Sequence, residues 1–161
     1  FMPPYETIGP LVDAILGWGK EKKCRIITTF EGSHGKKEEE IKDQDVYGIG
    51  STPHMQDMLE KFEIKQMEEG MITGVTGVLL YKAALEQQNA MCLLSKAQSK
   101  YPDSRAAARL IQILDVMLPG IKLDPQPLLE EAERIENKIK SFMEQSKPTA
   151  PQSGYPANMY R

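Results

Sequence analysis

The stretch CRIITTF, residues 24–30, is short, apolar and rich in β-branched residues. A strand of a parallel sheet is covered on both faces, so it need not alternate polar with apolar residues, and this stretch reads that way. Immediately upstream, PPYETIGPLVDAILGWGKEKK sets Ile8, Leu11, Val12, Ile15, Leu16 and Trp18 at helical spacing. That spacing predicts an amphipathic helix, ended by Gly19 and the lysines after it. Helix followed by buried strand is the unit of a layered α/β domain.

The same alternation continues downstream. After a polar loop, EGSHGKKEEEIKDQD (31–45), the stretch VYGIGST (46–52) reads as a second strand. PHMQDMLEKF (53–62) forms a short helix with Met55, Met58, Leu59 and Phe62 on one side, and residues 64–68 form an edge strand. The glycine-rich EEGMITGVTG (68–77) leads into a longer helix, VLLYKAALEQQ, whose Ala83 and Ala84 permit close packing. AMCLLSK (90–96) is the third clear strand. In PDSRAAARLIQILDVMLPG, Pro102 and Asp103 open a helix that Pro119 and Gly120 close. The last helix, DPQPLLEEAERIENKIKSFMEQ, aligns Leu128, Leu129, Ala132, Ile135, Ile139 and Phe142 in one stripe, with acids in its first half. These elements predict a three-layer α/β/α sandwich around a mostly parallel sheet over residues 1–145. The remainder, SKPTAPQSGYPANMYR, is rich in Pro, Ser and Gly and carries no period, so 146–161 reads as a mobile tail. As a flexible coil it spans roughly 20–25 Å on average.

Composition narrows the function classes. A chain of 161 residues suits one domain with a true core. With 20 Lys and Arg against 23 Asp and Glu, the net charge is −3, and no basic stripe marks a nucleic-acid surface. No apolar run reaches the length of a membrane span, and no secretory signal is visible. Cys24 and Cys92 sit in apolar runs, which reads as two reduced, buried thiols of a cytoplasmic protein. The chain starts FMPPYETIG, without Met at position 1 and directly before a helix, which reads as the interior of something longer.

Candidate chemistry is sparse. Gly70, Gly74 and Gly77 precede a helix whose N–H groups could hold a phosphate or carboxylate. The pattern is neither G-x-G-x-x-G nor a P-loop, and tight strand-to-helix packing explains the same glycines. Ser33 beside His34 is not a triad, since a triad is a geometry and needs an orienting acid. His34 and His54 lack metal-ligand spacing and read as loop residues. Mid-strand Cys92 reads as packing rather than as a nucleophile. The KKEEEIKDQD run reads as a solvated loop. The stripe of the last helix has two readings: it packs on its own sheet, or Ile135, Ile139 and Phe142 meet a second copy of the chain.

The terminus is the sharper signal. Two tyrosines, Tyr155 and Tyr160, on an unpatterned tail invite aggregation unless they bind something, and the chain ends Met159-Tyr160-Arg161. From Gly74 to Gln145 the sequence resembles the proteasome assembly chaperone 2 family of archaea and eukaryotes. GVTGVLLYKAALEQQNAMCLLSKA and YPDSRAAARLIQILDVMLPGIKLDPQPLLEEAERIENKIK carry the likeness, and Pro102-Asp103-Ser104-Arg105-Ala106-Ala107-Ala108 is its most specific part. CRIITTFEG and VYGIGS are similar to the family's central strands, so the resemblance covers about residues 5–145. It implies a phosphorylase/hydrolase-like α/β/α fold, and family members carry a further strand, glycine-rich loop and helix ahead of the point where this chain starts. It implies no enzyme activity, no cofactor and no metal.

The last three residues match the hydrophobic–tyrosine–any residue terminus of proteasome activators and assembly chaperones. By that likeness Met159, Tyr160 and Arg161 enter pockets between α-subunits of the 20S proteasome. The terminal carboxylate would pair with a lysine, Tyr160 would anchor, and Met159 would fill an apolar niche. A cytoplasmic homo-oligomer of archaeal type, with several tails, is the implied form. The alternative is a phosphorylase-like enzyme or small-ligand-binding protein using Gly74–Gly77 as its anion site.

Overall fold

The computed structural model describes residues 3–33, 46–97 and 103–145. The order of elements is α1 (Tyr5–Glu21), β1 (Ile27–Ser33), β2 (Val46–Gly50), α2 (Pro53–Lys61), β3 (Lys65–Gln66), α3 (Gly74–Leu85), β4 (Ala90–Lys96), α4 (Ser104–Met117) and α5 (Gln126–Gln145). The four strands form one sheet in the order β1-β4-β2-β3. β1 runs parallel to β4 with Ile27 opposite Ala90, and β2 runs parallel to β3. β2 and β4 are antiparallel, with Gly48 opposite Leu93. Two of the three pairings are therefore parallel, and the sheet is mixed.

β4 is the axis of the core. Ala90 to Ser95 are all buried, and alternate residues serve opposite layers. Ala90, Cys92 and Leu94 pack with Ile8, Val12 and Leu16 of α1 and Leu79, Leu80 and Ala83 of α3. Met91 and Leu93 pack with Met55 and Leu59 of α2, Ile64, and Leu110 of α4. Helices on both faces complete the three layers expected from the sequence. Ion pairs Lys82–Asp13 and Lys20–Glu86 run along the seam between α1 and α3.

Two caps match their sequence signals. Thr52 accepts the N–H of Met55 at the start of α2, where Pro53 has no N–H to lose, and Asp103 accepts the N–H of Ala106 at 3.0 Å. The glycines of VYGIG have a packing reason. A Cβ at Gly48 would lie 2.9 Å from Leu59 Cδ1 and closer still to Cδ2, and one at Gly50 would press on the backbone of Met55 and Gln56. β2 thus lets α2 approach closely enough to bury Leu59 completely.

Two expectations need correction. The first strand begins at Ile27, three residues after Cys24, and it forms an edge of the sheet with mostly half-buried residues. Cys24 is therefore exposed, in the turn after α1 where its N–H bonds Gly19 O; only Cys92 is buried. Burial pushes the Cys92 thiol up to about 11; the Thr29 hydrogen bond opposes this and nearby Glu31 adds to it. The solvated loop at 36–45, His34 and the tail from 146 lie outside the described residues.

Gly48→Ala should lower stability by about 1–3 kcal/mol, because the added methyl overpacks a filled site. Gly17→Ala is the contrasting case: nothing lies within 4 Å of its new Cβ in α1, so it should stabilise by about 0.5–1 kcal/mol. Thermal or urea unfolding of both variants checks the opposite signs. A thiol reagent at neutral pH should label Cys24 in the native protein and reach Cys92 only after unfolding; fast native labelling of Cys92 would contradict the burial described.

Candidate functional site

The three kinds of site raised by the sequence fall in different parts of the fold. The glycine-rich start of α3 is fully described. Gly74 has φ +70°, a left-handed conformation that glycine adopts without strain. Gly77 faces the carbonyl oxygen of Ile72 so closely that a Cβ would collide with it. Both glycines therefore answer to backbone geometry. Thr76, in the first turn of α3, donates its hydroxyl to Glu31 Oε1 at 2.6 Å. A carboxylate from β1 thus lies beside the first turn of α3. Sequence reading missed Glu31. Its signal was parity, since Ile27, Thr29 and Glu31 share one face of the strand.

His54 stands at the start of α2 and is exposed. With Cys24, Arg25, Asp57 and Lys61 it borders an open cleft of about 870 Å³ whose floor is Ile26, Thr28, Phe30, Met58, Phe62 and Met91. No hydrogen bond joins the histidine to the cysteine or the acid among those described, and no group of three or more His, Cys, Asp or Glu among the described residues could hold a metal ion. The cleft is apolar and wide, with no acid–base pair assembled in it.

The third region is the support of the tail. α5 runs back along α4, with Ala132 buried and Ile135 half-buried. Arg105, in the first turn of α4, grips Glu136 with two hydrogen bonds, Nε to Oε1 at 2.6 Å and Nη2 to Oε2 at 3.1 Å. That hydrogen bond, with the charge of Glu136 behind it, raises the pKa of the guanidinium. Both partners are near 40% exposed, so the pair orients the helices more than it stabilises them. In the connection, Asp115 accepts the N–H of Leu123 at 2.9 Å and Asp124 that of Gln126.

Of the contact residues expected on α5, Ile135 and Ile139 are half-buried while Phe142 stands 67% exposed. Met159, Tyr160 and Arg161 lie outside the described residues. Among the described residues no helix is long and apolar enough to cross a membrane.

Known proteins share this fold. The crystal structure of Pyrococcus furiosus PbaA, an archaeal homolog of proteasome-assembly chaperone, superposes with a TM-score of 0.79 at 28% identity, over 90% of this chain and 60% of that one. Pyrococcus furiosus PbaB, an archaeal proteasome activator, matches with a TM-score of 0.72 at 21% identity, over 88% of this chain and 61% of that one. An uncharacterized protein of Methanocaldococcus jannaschii, MJ0106, is 29% identical over 142 residues, which are 88% of this chain and 56% of that protein. The chain thus spans less than two thirds of the length of these relatives. The model of the PAC2 family matches residues 3–143, from the start of α1 almost to the end of α5, and the chain belongs to that family.

Proposed function

We propose that this chain is a non-enzymatic module that binds the 20S proteasome α-ring through Met159, Tyr160 and Arg161, and so promotes assembly, gate opening, or both. One observation carries the proposal: a PAC2 domain, similar to an archaeal homolog of a proteasome-assembly chaperone, is followed after α5 by a sixteen-residue stretch ending hydrophobic–tyrosine–any residue. The division follows the chain, with the domain over 1–145 and the binding tail over 146–161. The physical roles are separable: a carboxylate captured by a cation, an aromatic anchor with a polar tip, and a soft apolar filler. The proposed setting is the cytoplasm, and the partners are α-subunits and further copies of the chain.

The phosphorylase-like alternative loses its best support at α3. Gly74 and Gly77 have backbone reasons to be glycine, and Thr76 between them bonds Glu31 of β1. The Cys92 thiol is buried and held protonated, so it offers no nucleophile.

Tyr160→Ala should weaken binding to purified 20S particles. Burying roughly 100 Å² of ring at about 25 cal/mol per Å² contributes about 2 kcal/mol, which is more than tenfold in affinity per tail. One residue appended after Arg161 should be comparably damaging, because it moves the carboxylate while leaving every side chain in place. Tyr155→Ala should change little. Pull-down and peptide hydrolysis by the 20S core, run together, decide it: parent-like binding and stimulation by both the Tyr160 variant and the extended chain would remove the tail from the mechanism.

The α5 contact has its own check. If Ile135, Ile139 and Phe142 meet another copy, Phe142→Asp should shift the chain toward smaller species in sedimentation velocity without lowering its melting temperature. An unchanged distribution would return the stripe to packing within its own domain.

A further inference from the structure

No further inference is drawn: the strongest candidate, the apolar cleft between β1, α2 and the end of α4 with Phe30, Met58 and Met91 on its floor, is an open surface, and nothing in the structure shows what covers it.

Discussion

Strand β4 has no solvent side, and the rest of the domain follows from that constraint. Six consecutive buried residues must find apolar partners on both faces, so α1 and α3 cover one and α2 and α4 the other. Its backbone must also be paired on both edges, which places β1 on one side and β2 on the other. Ser95 is the polar residue in this run. Its hydroxyl is fully buried and accepts Arg109 Nη1 at 3.3 Å, while the same guanidinium reaches Lys96 O at 3.2 Å. α4 is thereby fixed to the end of β4, and α5 to α4 through Arg105 and Glu136.

An α/β sandwich with a glycine-rich helix start invites an enzymatic reading, and the local physics argues against it. An unoccupied helix N-terminus facing a cleft attracts anions because its N–H groups lack partners. Here Thr76 of the first turn bonds the Glu31 carboxylate of β1. That bond ties α3 to the edge strand. Burial raises the pKa of Cys92 and the same carboxylate adds to it, which helps keep that thiol unreactive.

Much of this was legible in the sequence, for reasons that also explain the failures. Helical spacing located α1, α2 and α5, because each must bury a stripe, while α4 was marked by its start and stop residues and α3 by the glycine-rich turn before it. AMCLLSK announced β4 because a strand buried on both faces leaves a continuous apolar run. CRIITTF was read three residues too early, since its apolar start resembles a buried strand while the ladder begins where Ile27 meets Ala90. Cys24 consequently falls in a turn. Strand direction was harder to read. The polar connection between β1 and β2 carries no period that tells the direction of the strand after it, and β2 runs antiparallel to β4, which runs with β1. Glu31 was invisible as a helix partner because nothing local links it to Thr76, forty-five positions away.

A terminal tail acts as a ligand only as well as its base is held. α5 is held on the domain through buried Ala132 and through the paired Arg105–Glu136 contact. In the proposed function, sixteen residues that behaved as a flexible coil would span roughly 20–25 Å, which would keep the last of them at high local concentration near a partner already touched by another copy. Avidity of that kind depends on the spacing between copies as much as on the motif. Tails set much farther apart than their combined reach and the pocket spacing allow would bind one at a time. Under the proposed function, a surface that joins copies through α5 would belong to the binding mechanism as directly as Tyr160 would: it would set how many anchors engage at once, while the affinity of one anchor would set how much each engagement adds.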